Sequence, residues 1–312
     1  MEQLRRGSLR GIFVTQDDPE FLEDAVDPEQ VILDLNGQNV TELRSAFIQQ
    51  QAGYSTTPFD PEGHHLRLFP GGVTIWSGFP GSGKTTLLRQ MTCHLLQSGG
   101  VFFASLEEHP RDLLVRLAGV AAGKDVPTEA DLEWFLYAHG ERLKLWGVIG
   151  LAHHQQILAT IRVLARRGVR HAIIDSLMCL DVNSTDWEAQ RQFATALAST
   201  ARRSGVHVHL VAHPRKLVSA DQAPDINDVA GSADLGRLAD NVLFVRRAAN
   251  EATIAGDSTP MLVSIRKQRH GSGSCCDVAG WFHRGLRQFS LNQFQPHPIQ
   301  YLPVDAYGVD FR

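Results

Sequence analysis

The stretch that most constrains this chain runs from Ser77 to Met91 and reads SGFPGSGKTTLLRQM. It contains the spacing Gly-x-x-x-x-Gly-Lys-Thr, which begins at Gly78 and ends at Thr85. The apolar run VTIWS precedes this spacing. The helix-compatible run TTLLRQMTCHLL begins at its last residue, Thr85. A strand, a glycine-rich turn and a helix in that order are the context in which this motif binds nucleotide phosphates. The sequence therefore predicts a phosphate loop at residues 78–85.

The residue types in this loop match the groups that a nucleoside triphosphate presents. Gly78, Gly81 and Gly83 let backbone N–H groups converge on an anion, and the helix that follows adds the partial positive charge of its N-terminus. Lys84 is expected to reach the β- and γ-phosphates, and the Thr85 hydroxyl is expected to bind Mg²⁺. We therefore predict ATP and Mg²⁺ as ligands. The predicted binding residues are Gly78, Pro80, Gly81, Ser82, Gly83, Lys84, Thr85 and Thr86.

Composition and charge place the chain among globular proteins and leave its partners open. The 312 residues are 43% hydrophobic, which is ample for a buried core. The first residues, MEQLRRGSLRGIF, lack the apolar core of a secretory signal, and no apolar run approaches the roughly 18 residues of a membrane span. We therefore expect a cytoplasmic protein with no membrane partner. The formal net charge of −4 does not exclude nucleic acid, because a groove needs only a local basic lining.

From Gly71 onward, apolar runs alternate with helical stretches. The predicted strands are GVTIWSG, GVFFASLEE, RLKLWG, RHAIIDSL, VHVHLVAHP, NVLFVRR, MLVSIRKQR and DVAGWFH. Strands separated by helices indicate an α/β fold with a mainly parallel sheet flanked by helices. The acidic stretch before them is interpreted as an arm, in which VTELRSAFIQQQAG from Val40 can form an amphipathic helix. The predicted organisation is an N-terminal arm at residues 1–65, a domain at 66–295 and a C-terminal tail at 296–312.

Candidate catalytic residues stand where predicted strands end, because ligands of such sheets bind outside the carboxyl ends of the strands. Asp175 closes an apolar run, where a carboxylate can hold the Mg²⁺ shell. Glu107 and Glu108 end the run after the phosphate-loop helix, where a carboxylate can activate water. Stabilisation of a helix N-terminus explains Glu108 equally well. His213 ends another run and can sense the γ-phosphate, with a purely structural histidine as the alternative.

These motifs stand in the order found in hexameric replicative helicases. The segments are LFPGGVTIWSGFPGSGKTTLL, FASLEEHPRDLLVRLAG, HAIIDSL, HVHLVAHPRK, GSADLGRLADNVLFVRR and VSIRKQRHGSGS. Over residues 66 to 291 the chain resembles the DnaB-like helicase domain, and within that family the phage primase-helicases and their mitochondrial relative Twinkle. The most specific pieces are His-Pro-Arg-Lys after its strand, Gly-Ser with Ala-Asp downstream, and Lys-Gln-Arg-x-Gly.

The resemblance implies a RecA-like ATPase that forms a hexameric ring around one DNA strand. Such a ring moves 5′ to 3′ along the strand during replication and unwinds the duplex ahead. The implied residue roles are Lys84 and Thr85 on phosphates and Mg²⁺, Glu107 as catalytic base, Asp175 on Mg²⁺, His213 as γ-phosphate sensor, and Lys267 and Arg269 on the neighbouring subunit's nucleotide.

The polar stretch at residues 215–234, RKLVSADQAPDINDVAGSAD, predicts a DNA-binding loop that faces a central channel. DnaB-like relatives often have Arg two residues before the Gly-Ser pair, whereas this chain has Val229 there. Strand contact is therefore expected from backbone N–H groups and from nearby cations. The predicted DNA-binding residues are Arg215, Lys216, Gly231, Ser232 and Arg237. A surface loop without a partner is the alternative.

Departures from the family leave two functions open. Before Gly71 there is neither the length nor the zinc motif of a primase, so we expect no priming activity and a primase on a separate protein. The first function is an ATP-driven DNA helicase acting on single-stranded DNA as a homo-oligomer. The second is a RecA-like ATPase that serves as a loader, a recombination mediator or a regulatory switch without processive unwinding.

Overall fold

The computed structural model describes residues 39–42, 44–45, 48, 53–182, 186–215, 223–231, 233–247, 257–270, 275–294 and 297–303. Between residues 73 and 290, this described part contains nine strands, all in one sheet. The strands are β1 (Val73–Ser77), β2 (Gly100–Ser105), β3 (Leu143–Leu145), β4 (Val169–Asp175), β5 (His207–Val211), β6 (Asn241–Arg247), β7 (Ser258–Gln268), β8 (Cys276–His283) and β9 (Gln288–Ser290).

The helices begin at residues whose side chains suit helix N-termini. Thr128 caps the helix Glu129–His139 in a reciprocal arrangement with Asp131, and Asp186 caps the helix Trp187–Ser204 by accepting a hydrogen bond from the N–H of Ala189. Among the described residues, no helix has both the length and the apolar composition to cross a bilayer. The α-helices between residues 84 and 238 are α1 (Lys84–Leu96), α2 (Pro110–Ala122), α3 (Glu129–His139), α4 (His154–Ala165), α5 (Trp187–Ser204) and α6 (Ala233–Leu238).

The sheet has a parallel part and an antiparallel edge. Its strand order is β3-β2-β4-β5-β1-β6-β7-β8-β9, in which the first six strands are parallel and the last three return in antiparallel pairs. The predicted α/β class with a mainly parallel sheet is confirmed, and so are all eight predicted strands. The ninth strand, β9, has only three residues, QFS, which give too short an alternation for a strand prediction.

Successive side chains of the central strands enter different cores on the two faces of the sheet. On one face Trp76 and Phe103 pack with apolar residues of α1 and α2. On the other face Ile75 and Phe102 pack with apolar residues of α4 and α5. Both faces are therefore covered by helices, which explains why the central strands read as continuous apolar runs.

Buried histidines in the middle of the sheet have tautomers that their neighbours set. Trp76 Nε1 donates to His209 Nδ1 (3.2 Å), so His209 Nε2 carries the proton that bonds His171 Nδ1 (3.2 Å). His171 Nε2 then donates to Ser55 Oγ (2.9 Å). Burial lowers the pKa of His207 to about 4 and the pKa of His171 and His209 well below the usual value. The histidines of this chain of donors are therefore neutral in the folded state.

The described residues near both ends of the chain pack on the same core. The Phe59 ring lies 6.1 Å from the Trp76 ring and 6.5 Å from the Phe289 ring. Tyr301 is buried and its hydroxyl accepts a hydrogen bond from Gln90. The boundaries at residues 65 and 295 stay predictions. For the amphipathic helix predicted from Val40, Leu43 and Phe47 lie outside the described residues.

Candidate nucleotide-binding site

Neighbouring parallel strands bring the predicted site residues to one edge of the sheet. β2, β4, β5 and β1 are adjacent, so their carboxyl ends point the same way. Glu107 follows β2, Asp175 ends β4 and His213 follows β5, while the phosphate loop follows β1. All of them line one cavity of about 560 Å³. The predicted phosphate-binding residues in its lining are Pro80, Gly81, Ser82, Gly83, Lys84, Thr85 and Thr86.

The phosphate loop has a backbone that requires glycine and leaves room for an anion. Gly78 has φ 141°, and a Cβ there would lie 2.3 Å from the carbonyl oxygen of Val245. Gly81 has φ 75° and faces open space. Within the described part of the chain, the buried Ser82 hydroxyl has no hydrogen-bond partner and no side chain caps the start of α1. Phosphate oxygens would satisfy these donors, so the loop fits a nucleotide phosphate.

Lys84 is a buried cation directed at its own loop. Its Nζ donates to the carbonyl oxygens of Gly78 (2.5 Å) and Phe79 (3.0 Å). Burial lowers the pKa of the Lys84 ammonium, while the nearby charges of Asp175 and Glu107 raise it. A buried ammonium bonded only to neutral carbonyls gains more from an anionic phosphate oxygen, because charge-assisted hydrogen bonds are stronger.

Thr85 and Asp175 form a pair of oxygen ligands beside the loop. Thr85 Oγ1 donates to Asp175 Oδ2 (2.9 Å). Burial, together with the charge of Glu107, raises the pKa of the Asp175 carboxyl to about 6 against the opposing effect of the Thr85 bond. Among the described residues, no group of three or more His, Cys, Asp or Glu side chains forms an all-protein metal site. Mg²⁺ prefers one or two protein oxygens plus phosphates and water, so this pair fits it.

The two adjacent glutamates differ in what holds them. Glu108 accepts from Arg89 Nη2 (2.7 Å) and Arg116 Nε (2.6 Å), and it is largely buried in this double ion pair. Glu107 lines the cavity and accepts a hydrogen bond from the Ser176 hydroxyl at Oε1 (2.7 Å). Glu108 is therefore held by two ion pairs, whereas Glu107 faces the cavity.

His213 connects the cavity to the segment that follows β5. Its side chain lines the cavity, and burial together with the Lys84 charge lowers the pKa of its imidazole. Its carbonyl oxygen accepts from the N–H of Ala230 (2.8 Å), and Pro214 forms an antiparallel bridge with Val229. Residues 213–215 and 228–230 therefore form a short two-stranded ladder that leads away from the nucleotide cavity.

The predicted DNA-binding residues divide between two places. Arg215 Nη2 donates to the Gly231 carbonyl (2.7 Å), at the end of the ladder. Arg237 is exposed and pairs with Asp234 (3.6 Å), while its carbonyl belongs to the last turn of α6. Lys216 and Ser232 lie outside the described residues.

Lys267 and Arg269, the cations predicted to reach a neighbouring subunit's nucleotide, lie at the amino ends of the parallel strands, opposite to the edge that carries the phosphate loop. Gln268 pairs with Asn241, the first residue of β6, and so Arg269 follows the point where β6 begins. Because β6 is parallel to β1, Arg269 lies beside the amino end of β1, whereas the phosphate loop follows its carboxyl end. Five residues of strand, on the order of 15 Å, separate these two ends.

Arg269 and Lys267 are held by groups of their own domain. Arg269 Nη1 contacts Asp240 Oδ1 (3.1 Å), and Asp240 Oδ2 accepts from the N–H of Val73 (2.9 Å). Lys267 Nζ donates to the carbonyl oxygens of Gly236 (3.0 Å) and residue 237 (2.7 Å) at the end of α6. Burial, and then the Arg269 charge, lowers the pKa of Lys267.

Sequence reasoning missed five further residues that line the cavity. They are Arg247, Arg284, Arg287, Phe282 and Phe289. Arg247 ends β6, next to β1, so the rule that led to Asp175 could have found it. The other four come from β8, β9 and the turn between them. Their position depends on the antiparallel return of the chain, which no local pattern indicates.

Comparisons with known proteins agree with this geometry. A family model described as an AAA domain matches residues 46–218. The Twinkle homolog protein, chloroplastic/mitochondrial, of Arabidopsis thaliana is 27% identical over an alignment of 224 residues, and the match covers 65% of this chain and 31% of that protein. The chain therefore spans about a third of the length of this relative.

Solved structures share the fold. One structure, described as an ATPase domain, matches with a TM-score of 0.66 at 18% identity, over 83% of this chain and 100% of that chain. A structure described as a DnaB-like replicative helicase and its interactions with primase matches with a TM-score of 0.63 at 18% identity, over 82% of this chain and 67% of that chain. The predicted RecA-like fold and the resemblance to DnaB-like helicase domains are confirmed.

Proposed function

This chain belongs to the AAA domain family, and we propose that it is an ATP-driven DNA helicase that moves along single-stranded DNA. The observation that carries the proposal is the convergence of a phosphate loop, a carboxylate pair and a histidine on one cavity. These groups supply what phosphoryl transfer to water requires, which is a phosphate cradle, a site for a divalent cation and a base.

The chemical step follows from the contacts of the residues. The loop N–H groups and Lys84 hold the β- and γ-phosphates and stabilise the charge that develops on them. Glu107, oriented by the Ser176 hydroxyl, accepts the proton of the attacking water. Thr85 and Asp175 would hold Mg²⁺, which neutralises phosphate charge when it is bound. Glu108 takes no part, because two arginines occupy its carboxylate.

Coupling to DNA is assigned to the ladder after β5. His213 faces the nucleotide cavity, and the ladder joins it to Arg215 and Gly231 through hydrogen bonds of 2.6 to 2.8 Å. A change at the γ-phosphate therefore has a short, hydrogen-bonded route to the segment that we assign to strand contact. This route supports an ATPase whose hydrolysis is coupled to a second ligand, as the proposed helicase requires.

Assembly into a ring is supported by the position of Arg269. It lies at the edge of the sheet remote from its own phosphate loop, which favours a contact with the nucleotide of another subunit. In a ring, that edge of one subunit can face the nucleotide of the next. We assign Lys267 and Arg269 to the neighbouring subunit's nucleotide, and we propose 5′-to-3′ movement and a separate primase as partner on the likeness to DnaB-like helicases.

Strand displacement tests this function directly. Forked DNA duplexes with a single-stranded tail at either the 5′ or the 3′ end would be incubated with ATP, Mg²⁺ and the full chain. We expect displacement from the 5′-tailed substrate, ATP hydrolysis stimulated by single-stranded DNA, and loss of both in Lys84→Ala. Stimulated hydrolysis without displacement would favour a loader or switch instead. A chain that stays monomeric by mass measurement with ATP would contradict the ring.

A further inference from the structure

An exposed tryptophan stands at the edge of the sheet where the nucleotide cavity lies. Trp187 is the first residue of α5 and its surface is 60% exposed. By contrast, Trp76 is completely buried in the core. An indole is a rigid, planar surface that binds well to other planar groups and costs little conformational entropy on binding. A single exposed aromatic side chain is common, so its surroundings decide whether it forms a site.

Arg215 supplies the second observation. Its guanidinium carbon lies 5.9 Å from the centre of the Trp187 ring, within the range of a cation–π contact. Its Nη2 donates to the Gly231 carbonyl, and its backbone N–H donates to the Asp228 carbonyl (2.6 Å). Two other chain segments, the start of α5 and residues 228–231, therefore hold Arg215 beside the indole. The bond to Gly231 uses one of five N–H donors, so the charge and most of the donors can serve a ligand.

The carboxylates beside Trp187 are engaged by donors. Asp186 Oδ1 accepts the N–H of Ala189 as the cap of α5. Both oxygens of Glu188 accept hydrogen bonds from Arg191, at 2.6 and 2.9 Å. The pair of Trp187 and Arg215 therefore offers an aromatic face next to a cation, with the neighbouring acidic groups already bonded elsewhere.

We propose that Trp187 is a stacking platform for a base of single-stranded nucleic acid and that Arg215 binds the adjacent phosphate. Single strands present both chemistries at once, because each unpaired base has a π-face and each linkage carries a negative charge. Trp187 stays exposed with Arg215 in contact, so the contact leaves room for a base. The inference rests on the proposed function and adds to it a base-contacting residue.

The position of this pair connects strand binding to the nucleotide. Arg215 follows the cavity-lining His213 by two residues, and both belong to the ladder of residues 213–215 and 228–230. A base that stacks on Trp187 and a phosphate that binds Arg215 would therefore fix the outer end of the ladder whose inner end faces the γ-phosphate.

The test compares two single strands that differ only in their bases. One probe is a labelled oligo-dT, and the other is an abasic oligonucleotide with the same length and the same number of phosphates. We expect Trp187→Ala to weaken oligo-dT binding about 5- to 150-fold, the range for removal of one base–aromatic stack. Binding of the abasic strand should stay within about twofold. Trp187→Phe should restore most of the oligo-dT affinity, because phenylalanine keeps a stacking face.

Matched variants separate stacking from other effects. Arg215→Ala should weaken both probes and reduce the slope of log K against log salt by about 0.7, the value for one phosphate contact on single strands. Tyr137→Ala removes a ring that is 82% exposed on α3, and it should leave both affinities and the basal ATP hydrolysis unchanged. Thermal melting of each variant checks that it is folded.

Each result decides the proposal. Unchanged oligo-dT affinity in Trp187→Ala, or equal losses on the two probes, would overturn the stacking assignment while wild-type binding keeps the proposed function. A lower oligomer mass with normal oligo-dT affinity would assign Trp187 to a contact between copies of the chain. Absence of wild-type binding to either strand would remove the proposed function itself, and the platform with it.

Discussion

The two edges of the sheet differ in how completely their polar side chains are satisfied. At the carboxyl edge, the Ser82 hydroxyl has no partner among the described residues and Lys84 bonds only carbonyl oxygens. At the amino edge, Arg269 and Lys267 bond a buried carboxylate and the carbonyl oxygens at the end of α6. The first edge is built to receive a ligand, and the second presents cations that its own domain holds in place. In the proposed ring, each chain would therefore contribute its phosphate loop to one catalytic site and its Arg269 to another.

Removal of the Arg269 side chain should have the largest effect on ATP hydrolysis, and it tests the difference between the two edges most directly. Arg269→Ala is expected to slow hydrolysis about 10³- to 10⁵-fold, the range for arginine fingers in other phosphoryl-transfer enzymes. Mixing this variant with Lys84→Ala, whose Arg269 is intact, should restore some hydrolysis. Some interfaces then combine the intact phosphate loop of one variant with the intact Arg269 of the other. The measurement is ATP hydrolysis as a function of the mixing ratio.

Two results would contradict the trans assignment. Mixed rings without recovered hydrolysis would mean that Arg269 does not act across the interface. An Arg269→Ala protein with the normal rate would leave the amino edge without a catalytic function.

The adjacent glutamates test the carboxyl edge. Glu107→Gln should lower the hydrolysis rate about 10²- to 10⁴-fold, as expected for loss of a general base, and leave nucleotide binding largely intact. Glu108→Gln is the matched control, because it makes the same change one residue away in a carboxylate bonded to Arg89 and Arg116. It should hydrolyse ATP normally and lose roughly 1–3 kcal/mol of stability from weakened charged hydrogen bonds. An inactive Glu108→Gln beside an active Glu107→Gln would reverse the assignment.

His213 tests whether the carboxyl edge communicates with the ladder. His213→Ala should keep residual hydrolysis and lose most of the stimulation by single-stranded DNA, because the variant removes the side chain that joins the cavity to the strand segment. The measurement is the ratio of hydrolysis rates with and without oligo-dT. An unchanged ratio would make His213 a structural residue.

Acid should destabilise the protein through the buried histidines in the middle of the sheet. The pKa values of His171, His207 and His209 are lower in the folded state than the usual value near 6.5, so the unfolded chain binds more protons below that pH. The contribution of these histidines to stability is therefore fully present above about pH 6.5 and is lost toward pH 4, by about 3 kcal/mol for His207 alone. Urea unfolding at pH 7 and pH 5 measures this loss.

A matched variant assigns that acid response. His207→Gln should reduce the pH dependence of the unfolding free energy, because it removes one of the three buried imidazoles and its bond to Thr74. A wild-type protein equally stable at pH 7 and pH 5 would contradict the neutral, buried state of these histidines.

Local sequence predicted the site residues whose positions depend on a single strand. It missed the residues whose positions depend on how the strands pair. Asp175 and His213 were predictable because each closes an apolar run, and the carboxyl ends of parallel strands meet at one edge. Arg284 and Arg287 reach the cavity only through the antiparallel return of β8 and β9. The contact of Asp240 with Arg269 likewise depends on the register of β6 against β7, which no short motif encodes.

Asp240 connects Arg269 to the strand that precedes the phosphate loop. One oxygen of its carboxylate contacts Arg269, and the other accepts the N–H of Val73, the first residue of the strand that leads into the phosphate loop. Arg269 and the first residue of β1 are thus bonded to the same buried carboxylate. In the proposed ring, a neighbour's nucleotide that displaced Arg269 would also disturb Asp240, and through it the first residue of the strand that precedes the subunit's own phosphate loop.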